Sequence, residues 1–139
     1  MTDSGHRTVE HTADLALEFW APDEARLLVQ GARAVIELLT EGTPLPTTEP
    51  SARPLQLDAL DPEDRLVRWL SEVLYLASVE GFLCTDATLE LPDGALRGTV
   101  YGHADASEHL RTEIKAVTYH DLKLQRSPGE ARARVIFDV

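Results

Sequence analysis

The chain has 139 residues, of which 43% are hydrophobic and 27% are charged, a composition typical of one globular domain spanning residues 1–139. Its net charge of −11 argues against direct nucleic-acid binding, since such binders gain most of their affinity from Lys and Arg on phosphates. No apolar run approaches the ~20 residues of a membrane helix, and the N-terminal stretch lacks the apolar segment of a signal peptide. With a single cysteine, Cys84, these features lead us to expect a cytoplasmic protein without membrane contact.

Alternation, helical periodicity and turn residues predict two helices and seven strands. Asp23 and Asp61 are typical N-cap residues, and Pro62 suits the first position of a helix. Residues 41–54, rich in Pro and Thr, indicate a loop. In chain order, the predicted elements are strands 8–10 and 15–19, a helix from 23 to about 39, strand 55–59, a helix from 61 to a stop at Gly81, and strands 82–91, 96–101, 117–125 and 132–137. This order predicts an α+β fold, with an antiparallel or mixed sheet and the two main helices packed on one side.

A polar break, His11-Thr12-Ala13-Asp14, separates the first two predicted strands. Its Thr and Asp side chains suit a turn, because both residue types hydrogen-bond to nearby backbone amides. Alternatively, Asp14 is a metal ligand or an acid–base group. The sequence leaves both interpretations open.

The segment EIKAVTYHDLKL places several reactive residue types within a predicted strand. Strand alternation puts Lys115 and Tyr119 on one face, and Thr118 and His120 on the other. The simpler interpretation is an edge strand with a solvated lysine and a hydrogen-bonded histidine. The alternative is a functional edge that begins at Lys115.

The last predicted strand ends in two neighbouring carboxylates, those of the Asp138 side chain and the Val139 main chain. Their repulsion costs free energy unless solvent or a cation offsets it. Together with Asp14 they would supply three hard oxygen ligands, which suit Ca²⁺, Mg²⁺ or Mn²⁺. A frayed terminus with both charges in water is the alternative, and the spacing alone does not show whether Asp14 lies nearby.

The remaining histidines, tryptophans and the cysteine have structural interpretations. His103 and His109 belong to the polar stretch HADASEH and are expected at the surface. Cys84 alternates with apolar residues and is expected in the core, and Trp20 and Trp69 are expected to be packing residues. The chain contains no Gly-rich phosphate loop, no Gly-x-Ser-x-Gly motif and no cysteine pair for zinc.

Four segments together resemble the archease family. They are EHTADLALEF near the start, LVRWLSEVLYL on the second predicted helix, EIKAVTYHDLKL, and the terminal VIFDV. They occur in the family's order and at its approximate spacing, so the resemblance covers nearly the whole chain. The chain departs from the family at Arg68 and Ser71, where Glu and Asn are usual. We expect little effect because both positions should face solvent.

The resemblance implies roles for particular residues. Asp14 and Asp138 match acidic positions that bind metal or are essential in the family, and Val139 joins the same metal site. Lys115 matches a functionally important lysine. His11, Thr12 and His120 would lie behind this site or contact a partner.

The resemblance also implies a partner. Archeases assist the RtcB-type RNA ligase, which uses GTP and a divalent metal and must be guanylylated on a histidine before it joins tRNA halves or other broken RNAs. The chain would therefore be a non-catalytic activator of guanylylation and of multiple turnover. It would hold a divalent cation, Ca²⁺ with Mg²⁺ or Mn²⁺ as alternatives, while the partner ligase binds GTP and the RNA.

Two other classes of function stay open. A free-standing metal-dependent hydrolase would place Asp14, Asp138 and His120 around a cation. A chaperone or specificity modulator of a tRNA-modifying enzyme, such as a methyltransferase, would change that enzyme's solubility or specificity without a metal.

Overall fold

The structure is a computed structural model that describes residues 3–10 and 14–139. The predicted residues His11 and Thr12 lie outside the described part of the chain. In chain order, the elements are β1 (Gly5–Glu10), β2 (Asp14–Ala21), α1 (Glu24–Thr40), β3 (Ser51–Asp58), α2 (Pro62–Ser78), β4 (Leu83–Glu90), β5 (Ala95–His103), a 3-10 turn (Ser107–His109), β6 (Ala116–Ser127) and β7 (Glu130–Asp138). No helix in these ranges is long and apolar enough to cross a membrane.

The strands form two separate antiparallel sheets. One sheet has four strands in the order β1-β2-β7-β6, and the other has three in the order β3-β5-β4. Both helices contact both sheets. The predicted α+β fold with two main helices is confirmed, but the strands divide between two sheets instead of forming one.

The helices begin where their capping residues predict. The Asp23 side chain accepts a hydrogen bond from the Arg26 amide at 2.8 Å, and Asp61 accepts one from the Asp64 amide at 2.7 Å. These bonds satisfy backbone donors that a helix N-terminus leaves unpaired. The two helices meet at Trp69, which is fully buried and donates its indole N–H to the Leu28 carbonyl at 2.6 Å.

Strand β3 begins earlier than the sequence indicates. The sequence predicts that residues 51–54 end a loop, but they are paired with β5, and Pro54 lies opposite Thr99. A proline has no amide hydrogen to donate, so it is tolerated at the edge of a sheet. Since β3 is an edge strand, Pro54 does not interrupt it.

Candidate functional site

Two of the predicted metal ligands lie opposite each other at one end of the four-stranded sheet. Strand β2 begins at Asp14 and β7 ends at Asp138, and the antiparallel register pairs these two residues directly. Directly opposed residues project from the same face, with Cβ atoms about 4.5–5.5 Å apart. The neighbouring pair, Leu15 and Phe137, packs in the core, so the two carboxylates face away from it. We call Asp14 and Asp138 the acidic pair.

The acidic pair lacks a partner of opposite charge within ion-pair distance in the described part of the chain. No ion pair there involves Asp14 or Asp138. Farther along the same face the situation differs, because Glu18 is paired with Arg7 at 2.6 Å and with Arg134 at 3.2 Å. The hydrogen bond from Arg7 is the main cause that lowers the pKa of the Glu18 carboxyl.

The donor atoms of the acidic pair fit a hard divalent cation. Two adjacent carboxylates without a counter-charge repel each other, and a bound cation would remove that repulsion. Within residues 3–10 and 14–139, no three His, Cys, Asp or Glu side chains cluster as a metal site, so a third ligand has to be of another kind. The Val139 carboxylate, one residue beyond Asp138, is the predicted one. Metal binding at Asp14, Asp138 and Val139 stays a prediction.

The backbone of Lys115 is hydrogen-bonded to that of Asp138 in the acidic pair. Its amide donates a hydrogen bond to the Asp138 carbonyl at 2.8 Å, just before β6 begins. The next residue, Ala116, lies opposite Asp138 in the register and therefore shares the face of the acidic pair. Lys115 itself is exposed and lines a depression against α2. Its ammonium group forms no ion pair with a described residue, so the structure brings the main chain, but not the charge, to the acidic pair.

The expected alternation of the following residues is confirmed for the side that meets α2. The Tyr119 hydroxyl donates a hydrogen bond to the Asp64 carboxylate on α2, and Val117 packs against the core. On the other side, Thr118 donates its hydroxyl to the Ile136 carbonyl at 3.0 Å.

His120 is not brought to the acidic pair by any described contact. The pairing of β6 with β7 is irregular between Thr118 and Lys123, and Asp121 in this stretch has a φ of 49°. His120 is exposed there, with its Nε2 atom 3.4 Å from the Asp121 carboxylate. The irregularity ends the simple alternation on which the predicted position of His120 depends.

Asp64 is a polar centre that is not among the site residues predicted from the sequence. Its side chain is almost fully buried and accepts hydrogen bonds from the Tyr119 hydroxyl, the Leu60 amide at 2.9 Å and the Arg68 guanidinium at 2.8 Å. These hydrogen bonds, of which the one from Tyr119 has the largest effect, hold the pKa of the Asp64 carboxyl below its usual value. The spacing of Asp64 and Arg68 by four residues was a usable signal for the ion pair, but Tyr119 comes from a strand far along the chain. The expectation that Arg68 and Ser71 face solvent is confirmed.

The structure tests the positions expected for His103, Trp20 and Trp69. The surface position expected for His103 is wrong. Strand β5 continues through it opposite Leu83, and the side chain is only 9% exposed. Trp69 is a core residue as expected, whereas Trp20 is half-buried on the face of the four-stranded sheet away from the core, beside the Arg132 guanidinium at 5.4 Å.

Cys84 lies in the core as the sequence indicates. Its side chain has no exposed area. Burial raises the pKa of the Cys84 thiol to about 12, so the thiol stays protonated at neutral pH and is not a nucleophile.

Comparison with protein families decides what kind of protein this is. The model of the Archease protein family matches residues 6–139. The chain belongs to the archease family. The match includes Asp14, Lys115 and Asp138, and the acidic pair is therefore part of an archease fold.

Individual archeases support the assignment over the full length. The protein archease of Methanopyrus kandleri is 33% identical over 138 residues, with 94% of this chain and 96% of the relative covered. A probable protein archease of Mycobacterium tuberculosis is 33% identical over 140 residues, with 99% of this chain and 76% of the relative covered.

A solved structure agrees with the fold. The solution structure of protein 1598 from Methanobacterium thermoautotrophicum superimposes with a TM-score of 0.75 at 25% sequence identity, and covers 97% of this chain and 99% of that protein. The two-helix α+β architecture is therefore shared with this archease-like relative.

Proposed function

We propose that this archease activates an RtcB-type RNA ligase in the cytoplasm, and that it promotes the GTP-dependent guanylylation and the multiple turnover of that enzyme during tRNA splicing and RNA repair. The chain would be a protein cofactor without catalysis of its own. The single observation that supports this best is the acidic pair. Asp14 and Asp138 lie directly opposite each other in a family member, form no ion pair with a described residue, and adjoin the backbone of Lys115.

The acidic pair would hold a divalent cation against the ligase. Such a cation neutralises charge on phosphate oxygens during nucleotidyl transfer. The β2–β7 register places Asp14 directly opposite Asp138, so their Cβ atoms are held close together before a cation binds. This arrangement lowers the conformational entropy that a flexible site would lose.

Lys115 would contact the partner and not the acidic pair. Its ammonium group is exposed and forms no ion pair within the described residues, so it is available for a carboxylate or a phosphate. Its backbone bond to Asp138 keeps it close to the acidic pair. A partner that engages Lys115 is therefore also positioned near Asp14 and Asp138.

The charge of the chain fits a basic partner. A net charge of −11 favours encounter with a positively charged surface and speeds association at low ionic strength. An RNA-binding ligase provides such a surface, and it would hold both the RNA and the GTP. Association should therefore weaken as salt concentration rises.

The test is guanylylation of the cognate ligase with GTP and Mn²⁺, in the presence and absence of this chain. We expect a large acceleration at amounts of the chain well below those of the ligase, because an activator is released after each event. GTP turnover by the chain alone would instead support a hydrolase. An unchanged rate with a competent ligase would contradict the proposal and favour a modulator of a different RNA enzyme.

A further inference from the structure

A groove runs between α2 and the first half of β6. It consists of two adjoining depressions of about 330 and 530 Å³, which share Ser71, Tyr75 and Val117 in their walls. The first lies at the C-terminal half of α2 and includes Lys115, and the second lies at its N-terminal half. We call the whole depression the α2–β6 groove. From Val67 to Ser78 it follows α2 over roughly 17 Å, at 1.5 Å per helical residue, enough for a segment of about five extended residues.

Exposed apolar side chains are concentrated at this groove. Five large hydrophobic residues of the described chain are exposed, and three of them, Tyr75, Val79 and Tyr119, line the α2–β6 groove. Tyr75 and Val79 are separated by four residues and lie on one side of α2. A cluster of exposed apolar side chains indicates an interaction surface, and tyrosine is frequent at the energetic centre of protein interfaces.

The charges at the two ends of the groove are opposite. Lys115 provides a positive charge at one end, where no described acidic group neutralises it. At the other end lie Asp58 and Glu72, neither of which is in an ion pair with a described residue. Arg68 at that end is paired with Asp64 at 2.8 Å and also interacts electrostatically with Asp58. An occupant that complements the groove therefore has an apolar centre, an acidic group for Lys115 and a basic group for Glu72.

The groove continues into the candidate site. Ala116 is part of its wall and lies opposite Asp138 in the β6–β7 register. Lys115, the preceding residue, donates its amide to the Asp138 carbonyl. A partner segment bound in the α2–β6 groove would therefore have one end next to Lys115 and Ala116, the two residues that adjoin Asp138 of the acidic pair.

We propose that the α2–β6 groove is the docking surface for the partner ligase, and that it receives an apolar segment with an acidic residue at the Lys115 end. This inference rests on the proposed function and names the surface through which it operates. Docking in the groove would bring the acidic pair to the ligase and would determine the affinity of the complex. The acidic pair would then be responsible for activating the bound ligase.

The experiment compares three chains in binding to the ligase, by calorimetric titration, and in guanylylation over a range of chain concentrations. The first is wild type, the second is Tyr75→Ser with Val79→Ser, and the third is the control Leu60→Ser. Leu60 is the most exposed large apolar residue, at 85%, and lies outside the groove. We expect the double variant to bind about tenfold more weakly or worse, which corresponds to the loss of about 1.4 kcal/mol. It should regain full activation at high concentration, because its acidic pair is intact, and Leu60→Ser should match wild type.

The outcomes separate the two proposals. A wild-type chain that neither binds nor activates the ligase overturns the proposed function and this inference with it. A wild-type chain that activates, together with a double variant of equal affinity and equal concentration dependence, overturns the docking surface alone. A further variant, Ser71→Trp, fills the groove from an exposed position. Its affinity for the ligase is measured in the same way as that of the double variant, with circular dichroism to verify the fold. Its unchanged affinity would likewise contradict docking in the groove.

Discussion

At the scale of single residues, Asp64 shows how a buried charge is kept in this fold. A buried carboxylate is unfavourable unless hydrogen bonds replace its hydration. Asp64 receives three, from a tyrosine, a backbone amide and an arginine. The Tyr119 bond also fixes β6 against α2, and it lies beside the α2–β6 groove. Through its bond to Tyr119, Asp64 therefore helps to position the two elements that form the proposed docking surface.

Tyr119→Phe removes one of these donors and keeps the ring. We expect a loss of about 1–3 kcal/mol in the free energy of unfolding at neutral pH, because a buried carboxylate loses a partner. Urea denaturation measures this loss. Tyr75→Phe is the matched control, since Tyr75 is an exposed tyrosine of the same groove, and it should change stability little.

The pH dependence of stability provides a second readout on the same variant. The pKa of Asp64 is lowered in the folded protein, so the unfolded state binds the proton more tightly. Its stabilisation is therefore present above the carboxyl pKa of the unfolded chain, about 3.9, and is lost as pH falls through the lower folded pKa. Tyr119→Phe should reduce this acid-side loss. An unchanged acid limb would show that Tyr119 is not the main cause of the shift.

At the scale of secondary structure, the sequence predicts the features that depend on neighbouring residues and does not predict those that depend on strand pairing. The caps at Asp23 and Asp61 predict both helix starts because each cap bonds to residues three positions away. The sequence predicts a loop at Pro54, because the tolerance of a proline in a strand depends on β3 lying at a sheet edge. The sequence predicts a surface position for His103, because the burial of this residue depends on the pairing of β5 with β4 at Leu83.

Strand β5 contains a glycine that the pairing with β4 requires. A Cβ atom at Gly98 would lie 2.0 Å from the Thr88 carbonyl oxygen, and that oxygen belongs to the backbone of β4. Gly98→Ala should therefore force the two strands apart and lower the free energy of unfolding by about 1–3 kcal/mol or more. Thermal unfolding tests this, with Ser51→Ala on the exposed end of β3 as a control. A wild-type melting temperature for Gly98→Ala would contradict the close approach.

At the scale of the whole molecule, the candidate site depends on residues that are far apart in the chain. Asp14 and Asp138 are each visible in the sequence as an acidic residue at a strand end, but their convergence requires β2 and β7 to be neighbours in one register. That pairing joins the two ends of the chain and has no local signal. The resemblance to the archease family supplied the link, and the register then showed that the two carboxylates share a face.

The position of Lys115 was only partly foreseeable for a related reason. Alternation predicts that its side chain shares a face with Tyr119 and not with Thr118, and both Lys115 and Tyr119 line the α2–β6 groove. The groove it lines requires α2 to pack against β6, which no sequence pattern specifies. The structure thus places the acidic pair and Lys115 at the same end of one sheet.

The measurement that tests the central claim most directly is ligase guanylylation with Asp14→Asn and Asp138→Asn combined. These substitutions keep the shape of the acidic pair and remove both charges, so the fold should be retained or slightly stabilised. The control, Glu49→Gln with Glu63→Gln, changes the net charge equally at two exposed positions. We predict that the control accelerates guanylylation like wild type, whereas the acidic-pair variant leaves the ligase at its unassisted rate. Full acceleration by the acidic-pair variant would contradict the account.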